Sequence, residues 1–310
     1  MKVLIAIDSS PCSQRVLDEA SSRSWPLDTN FFVLNVVDVQ RFARFPAMID
    51  DARREAIQLV NSGAEQLLHA GHQALAEVRM GFPRKVISEC AKELQADLIM
   101  VGSHGHSAIG RFLLGSVAQA VLRTAPCPVE IVRFPAGGPA PSSHAMKVLL
   151  ATDGSDCSVA AANSIAARPW PVGTILKVVG VEELIVLETP MGTSPLASIY
   201  PPSLLEELFA DARTRAVHAV DGARKILEQA GLNVQDRQPI PLGDPRSVVL
   251  VLAQTWSADL IVLGSHGRRG WDRFLMGSVA ESVAIHAHCS VEVIRPQIAA
   301  KDIAKEFPSS

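Results

Sequence analysis

Two stretches decide the fold: Leu98-Ile-Met-Val-Gly-Ser-His-Gly105 and Leu260-Ile-Val-Leu-Gly-Ser-His-Gly267. Each is a continuous apolar run that ends at a glycine, a pattern typical of a parallel strand covered on both faces and followed by a tight loop. Because the same pattern occurs twice with matching neighbours, the sequence indicates one structural unit written twice.

The repeat extends over most of the 310 residues. Lys2-Val-Leu-Ile-Ala-Ile-Asp8 returns as Lys147-Val-Leu-Leu-Ala-Thr-Asp153, and Arg111-Phe-Leu-Leu-Gly-Ser-Val-Ala118 returns as Arg273-Phe-Leu-Met-Gly-Ser-Val-Ala280. Proline, glycine and serine dominate the stretch between the copies, as expected of a linker. The predicted organisation is a first domain over residues 1–133, a linker over 134–145, a second domain over 146–295 and a tail over 296–310.

Each copy alternates short apolar strands with helical segments. In the first copy Val3–Ile7 reads as a strand, Ser10-Pro11 as the start of a helix, and Ile57, Val60, Ala64 and Leu67 as one buried helical face. Strands separated by helices predict an α/β fold with a doubly wound parallel sheet of five strands in each copy.

The strand order follows from the second copy, where the third strand falls around Pro239-Ile-Pro241. Prolines two residues apart remove two hydrogen-bond donors from the same side of a strand, which is tolerable only at a sheet edge. This favours the order 3-2-1-4-5, which places Asp8 opposite Gly102 across a ligand crevice. The fifth strands, Val129–Arg133 and Val291–Arg295, are then apolar edges that we expect to pair with each other.

Composition excludes several classes of function. The net charge of −3 gives no basic surface for nucleic acid. No apolar run reaches the length of a membrane helix or of a signal-peptide core. Five cysteines in a long chain do not suggest a disulfide framework. These features predict a cytoplasmic protein without nucleic-acid or membrane partners.

The loop after the fourth strand carries the clearest functional signal. Each copy reads glycine, two residues, glycine, nine residues, then glycine-serine, ending at Gly115-Ser116 and at Gly277-Ser278. Glycines let the backbone approach a ligand closely, and the start of the following helix offers unpaired amides and a positive dipole end. The loop therefore predicts a phosphate-binding site in each copy.

These residues resemble the universal stress protein family in its tandem form, through this glycine spacing and through Asp-x-Ser after the first strand. The resemblance implies an ATP-binding regulatory protein of the stress response, with slow hydrolysis at most and with nucleotide-dependent conformation or assembly. It also implies that the copies pair through their fifth strands, that the chain forms a further homodimer, and that it serves an unidentified client. By position the implied nucleotide contacts are Asp8, Val36, Val101, Gly102, His104, Gly105, Gly115, Ser116, Val117, Asp153, Val181, Leu263, Gly264, His266, Gly267, Gly277, Ser278 and Val279.

The two copies differ in ways that bear on such a site. The position after the second glycine is His106 in the first copy and Arg268 in the second. A surplus of residues in Glu183–Ala210 follows the second strand of the second copy, and we expect it to form a lid or a partner surface over that site.

Other functions stay open. The chain contains no G-x-x-x-x-G-K-[ST] loop and no G-x-G-x-x-G after the first strand, which disfavours an efficient ATPase and a dehydrogenase. Ser103-His-Gly-His106 superficially resembles a nucleotidyl-transfer signature, and the tandem could also be structural with vestigial sites. We assign no catalytic residue and no metal ligand, although Asp8 or Asp153 could help to hold magnesium through a bound nucleotide.

Overall fold

The computed structural model describes residues 1–42, 46–105, 114–133, 145–183, 187–189, 192–194, 202–268 and 276–295. The described helices are α1 (Pro11–Ser22), α2 (Ile49–His69), α3 (Pro83–Leu94), α4 (Ser116–Thr124), α5 (Asp156–Ala166), α6 (Pro202–Gln229), α7 (Pro245–Trp256) and α8 (Ser278–His286). The described strands are β1 (Lys2–Ala6), β2 (Asn30–Asp38), β3 (Gln73–Gly81), β4 (Leu98–Gly102), β5 (Val129–Val132), β6 (Lys147–Ala151), β7 (Ile175–Val179), β8 (Glu182–Glu183), β9 (Leu187–Thr189), β10 (Gly192–Ser194), β11 (Leu242–Gly243), β12 (Leu260–Gly264) and β13 (Ser290–Ile294). The predicted tail, and all of the predicted linker except Ala145, lie outside the described residues.

Nine strands form one continuous sheet in the order β3-β2-β1-β4-β5-β13-β12-β6-β7. Within this sheet the strands of each copy run parallel to one another, and the first copy has the predicted order 3-2-1-4-5. Helices cover both faces of the sheet, so its central strands are buried on both sides: Val3, Leu4 and Ile5 of β1 have no exposed surface. The predicted α/β doubly wound class is confirmed.

The helix α2 buries a slightly different face from the one predicted. Val60, Ala64 and Leu67 are buried, but Ile57 is 41% exposed and the neighbouring Ala56 is buried in its place. The prediction for Ile57 was wrong because a helix approaching a sheet closely favours a small side chain at the contact, so hydrophobicity alone does not identify the face.

The two copies join through their fifth strands, as predicted. β5 and β13 pair antiparallel, with Val129 opposite Val293, Glu130 opposite Glu292, and Ile131 opposite Val291. Val129 is equivalent to Val291 in the repeat, and Ile131 is equivalent to Val293. The two valine and isoleucine pairs are therefore related by a pseudo-two-fold axis that passes between Glu130 and Glu292.

Arginines reinforce this junction in a reciprocal way. Arg133, at the end of β5, donates to the carbonyl of Ile285 in α8 at 3.0 Å. Arg295, at the end of β13, donates to the carbonyls of Leu122 and Arg123 in α4, both at 2.8 Å. Each copy therefore supplies a cation to the carboxyl end of a helix in the other copy, where helix carbonyls lack partners.

The second copy departs from the predicted five-stranded sheet. It contributes four strands to the nine-stranded sheet, and its third strand is reduced to a bridge between Val234 and Leu176 and to β11, which pairs separately with β8. Between these contacts the chain passes through Pro239 and Pro241, which lack the donors that a ladder needs. The prolines lie at a sheet edge as expected, but they interrupt the strand.

Candidate functional site

A cavity of about 530 Å³ opens at the carboxyl ends of β6 and β12 in the second copy. This is the edge at which open α/β sheets bind ligands, since the loops there diverge to opposite faces. All nine residues nominated in this copy line the cavity: Asp153, Val181, Leu263, Gly264, His266, Gly267, Gly277, Ser278 and Val279.

Asp153 is held between the loop after β6 and the loop after β12. Its Oδ1 accepts hydrogen bonds from the backbone N–H of Ser155 at 3.0 Å and from the Ser155 hydroxyl at 2.6 Å. Its Oδ2 accepts from the backbone N–H of Arg268 at 3.0 Å. These bonds fix the carboxylate at the cavity wall, where its orientation is set before any ligand arrives.

Gly267 has no room for a side chain. A Cβ at this position would lie 2.8 Å from Asp153 Oδ2. A residue other than glycine would displace either the loop or the carboxylate, so the glycine is required for the two loops to meet.

Gly277 is the N-cap of α8 and leaves the first turn of that helix open to the cavity. Its N–H donates to the carbonyl of Ser265 at 2.8 Å, and no side chain caps the helix. The amides of the first turn have no partner within an α-helix, and both Ser278 and Val279 line the cavity there. This corner can accept an anion such as a phosphate.

Apolar side chains also line the cavity. Leu263 is 3% exposed at the end of β12, while Val181 and Val279 are half-buried. Val179 and Val249 add to the same wall. An apolar wall together with the free amides of a helix start suits a ligand that carries both a flat ring and an anionic group.

The first copy repeats this architecture. Asp8 Oδ1 accepts from Ser10 N–H at 3.0 Å and from the Ser13 hydroxyl at 2.7 Å. A Cβ on Gly105 would lie 2.6 Å from Asp8 Oδ2, and the Gly115 N–H donates to the carbonyl of Ser103 at 2.7 Å. The loops thus approach each other as closely as in the second copy.

The remaining nominated residues of the first copy lie on the same elements. Val101 is buried and Gly102 half-buried at the end of β4, Val36 is half-buried on β2, and Ser116 and Val117 begin α4. His106 falls on the loop over residues 106–113, which lies outside the described residues.

A histidine follows the buried serine in each loop. His104 Nδ1 lies 3.0 Å from Ser103 Oγ, and His266 Nδ1 lies 2.9 Å from Ser265 Oγ. Burial, and then the positive charge of Arg133, lower the pKa of His104 below its usual value. The imidazole is therefore neutral at pH 7, and its buried Nε2 has no hydrogen-bond partner among the described residues.

Sequence reasoning missed several residues of the second cavity. The cavity is also lined by Thr152, Glu183 and Arg215. Thr152 is next to Asp153 in sequence and Glu183 lies just beyond the end of β7, whereas Arg215 reaches the cavity from the middle of α6. The available signal was the match of Asp211-Ala212 to Asp51-Ala52, which fixes the helix register and places Arg215 opposite Glu55 of the first copy.

Neither a metal centre nor a membrane span emerges from the described part of the chain. Its His, Cys, Asp and Glu side chains form no group of three or more that could hold a metal ion. Its helices include none with the length and apolar character needed to cross a bilayer.

Comparison with known proteins identifies the family. The profile of the universal stress protein family matches residues 1–133 and 145–295. A universal stress protein of Methanocaldococcus jannaschii is 32% identical over 143 residues, which are 43% of this chain and 82% of that protein.

Solved structures agree in fold over the whole length. A universal stress protein from Archaeoglobus fulgidus superposes with a TM-score of 0.63 at 20% identity, covering 95% of this chain and 96% of that one. A structure from Pseudomonas aeruginosa superposes with a TM-score of 0.60 at 17% identity, covering 98% and 95%. The chain therefore belongs to the universal stress protein family, which it represents in tandem form.

Proposed function

We propose that this protein is an ATP-binding regulator of the stress response with one nucleotide site in each of two domains, residues 1–133 and 146–295. Nucleotide occupancy alters its conformation or its assembly into a homodimer and its contact with a protein client in the cytoplasm. The observation that carries the proposal is the second cavity, which joins a fixed carboxylate, an uncapped helix start and an apolar wall in about 530 Å³.

The cavity fits an adenine nucleotide by shape and chemistry. The half-buried Val181 and the buried Leu263 provide surfaces on which an adenine ring can pack. The start of α8 at Gly277 provides amides for phosphates. Asp153 would contact the nucleotide, and it or Asp8 would help to hold a magnesium ion that accompanies the phosphates.

Efficient hydrolysis has little support. In the described part of the chain, the residues that line the second cavity include two arginines but no lysine. The imidazole of His104, in the corresponding loop of the first copy, is already neutral and hydrogen-bonded through Nδ1. A binding protein with slow turnover accounts for these features better than a transferase.

Isothermal titration calorimetry with ATP tests the proposal. We expect two binding events in the wild-type chain, and turnover below about one per minute, slower than typical enzymes. A Gly115→Val or Gly277→Val variant should lose one event each, because a Cβ there would lie 3.2 Å from Ser103 O or 3.0 Å from Ser265 O and the branched side chain would fill the corner.

The matched control is Gly222→Val, since a Cβ at that helical glycine meets no atom within 4 Å. Absence of ATP binding in the wild type would favour a structural tandem with vestigial sites. Rapid release of pyrophosphate in the presence of an acceptor would favour the nucleotidyl-transfer alternative.

A further inference from the structure

The helices α2 and α6 lie in the same register over the two copies. Four of the five buried positions of α2, namely Ala56, Val60, Gly63 and Leu67, have buried counterparts 160 residues later, at Ala216, Val220, Ala223 and Leu227. Because these contacts fix the rotation of both helices, the residues before Ala56 and Ala216 occupy equivalent places. Those residues are Glu55 and Arg215, so the copies carry opposite charges at one position.

Arg215 lines the second cavity. It lines the cavity together with Arg268, and neither guanidinium forms a salt bridge within the described part of the chain. Other arginines of this protein do pair with carboxylates, as Arg224 does with Glu228 at 2.7 Å. An unpaired arginine at the mouth of a cavity is available to an anion.

The charges around the two sites therefore differ. Among the described residues, the charged side chains that line the second cavity are two carboxylates, Asp153 and Glu183, and two arginines, Arg215 and Arg268. The equivalent positions of the first copy hold three carboxylates and a histidine, namely Asp8, Asp38, Glu55 and His106. By formal charge the second set holds two negative and two positive side chains, whereas the first holds three negative side chains and one histidine.

Each added phosphate gives a nucleotide more negative charge, so this difference acts most strongly on triphosphates. We propose that the second site is a nucleoside triphosphate site in which Arg215, with Arg268, reads the number of phosphates. The first site takes adenine nucleotides more weakly and with little preference for the triphosphate. This inference rests on the proposed function, because it assumes that the candidate sites of both copies bind nucleotides.

The consequence is an ordered response to ATP. The second site fills at lower ATP concentration and distinguishes ATP from AMP, while the first fills at higher concentration. A chain with one discriminating and one permissive site reports both the ratio of ATP to AMP and the total nucleotide, which a single domain cannot do.

The test exchanges the charges of Arg215 and Glu55. Each site is measured alone, the second in a Gly115→Val background and the first in a Gly277→Val background, by titration with ATP, ADP and AMP. Arg215→Glu should weaken ATP binding at the second site by about tenfold and change AMP binding less than threefold, because the interaction scales with ligand charge. Glu55→Arg should strengthen ATP binding at the first site by a similar factor.

Arg213→Glu is the matched control, since Arg213 is exposed on the same helix and does not line the cavity. It alters the net charge equally and should leave the affinity for ATP unchanged. Equal losses of ATP and AMP affinity in Arg215→Glu, or an equal loss in Arg213→Glu, would overturn the inference while leaving nucleotide binding intact. If the wild-type chain binds none of the three nucleotides, the proposed function itself fails.

Discussion

The two outer edges of the nine-stranded sheet show how far a duplicated unit can diverge without losing its fold. At one edge β3 runs for nine residues beside β2, with every residue in register. At the other edge, β7 meets the third segment of its own copy only at Leu176 and again beyond its end, at Glu182. A cavity of about 500 Å³, lined by Val178, Gly180 and Pro239 among others, lies between these contacts.

A surplus of two residues explains the broken edge. Leu176 pairs with Val234 and Glu182 with Leu242, so six residues of the edge strand face eight residues of the third segment. Two extra residues must bulge away, and the prolines at 239 and 241 make the bulge permanent because they cannot donate to the ladder. The centre of the sheet is not altered by this bulge, because the first and fourth strands supply the buried residues there.

The two copies also differ near the centre of the sheet, in the side chains that contact one arginine of each copy. In the first copy, Arg23 forms a bidentate pair with Glu130, at 2.7 Å for both bonds, and also contacts Glu19. In the second copy, Arg168 bonds Glu292 at 2.8 Å and Ser164 at 3.2 Å. Glu19 and Ser164 are equivalent positions, so one copy holds two buried carboxylates per arginine and the other holds one.

The largest expected effect comes from removing these arginines. Arg23→Ala leaves Glu19 and Glu130 buried without a cation and should lower the free energy of unfolding by about 3–5 kcal/mol. Arg168→Ala should cost less, because only Glu292 loses its partner. Urea denaturation of both variants measures the difference, and equal losses would mean that Glu19 contributes no burial penalty of its own.

The sequence predicted the centre of the sheet more completely than the outer edge of the second copy. The prolines at 239 and 241 predicted the strand order and the apolar fifth strands predicted the pairing of β5 with β13, whereas the nine residues that line the second cavity were nominated by the resemblance to the family. Such features are local in sequence or repeated, so a single chain displays them twice.

What sequence reasoning missed depends on contacts between distant segments. Glu130 stands in an apolar strand, and nothing near it in sequence shows that Arg23 neutralises it. Arg215 reaches the cavity because α6 packs over β7, a fact of tertiary structure. The break in the third strand follows from the prolines together with the two-residue surplus, and the prolines alone predict only that the strand lies at an edge.

A second effect, smaller than the loss of Arg23, concerns pH. Burial raises the pKa of Glu19 above 4.5, and the neighbouring Glu130 raises it further against the pull of Arg23. Glu19 therefore holds its proton more tightly in the folded state than in the unfolded state. This tighter proton binding stabilises the fold below pH 4.5, and the stabilisation is lost as the pH rises through the pKa of Glu19 in the folded state.

The variant Glu19→Gln removes this titration and keeps an oxygen that can accept from Arg23. Relative to Glu19→Gln, the wild-type chain should lose stability as the pH rises from about 4.5. Denaturation curves of the two proteins over a pH series check the sign. The control is Ser164→Gln in the second copy, where no carboxylate is removed and the difference from the wild type should stay constant.

The smallest expected effect would repair the broken edge. Deleting Gln238 and Pro239 and replacing Pro241 by valine equalises the two segments and restores a donor, so the third strand can pair continuously with β7. In the described chain no backbone hydrogen bond joins β7 to residues 236–240, and the edge-facing amides of Val178 and Gly180 are the ones that would gain partners. Their hydrogen exchange should slow by at least about tenfold, with a gain in stability of roughly 1 kcal/mol or less, because a net hydrogen bond contributes little.

The internal reference is the first copy, where Val33 and Asn35 are the equivalent edge-facing residues of β2 and already pair within the register of β3. In the wild-type chain these two amides should exchange more slowly than those of Val178 and Gly180. If all four exchange equally slowly, the second edge is closed in solution, and the contrast between the two edges disappears. The two cavities share Val179 in their lining, so the repair also tests whether the edge influences the nucleotide site. If the repaired variant protects Val178 but binds ATP as the wild type does, the edge and the nucleotide site are independent.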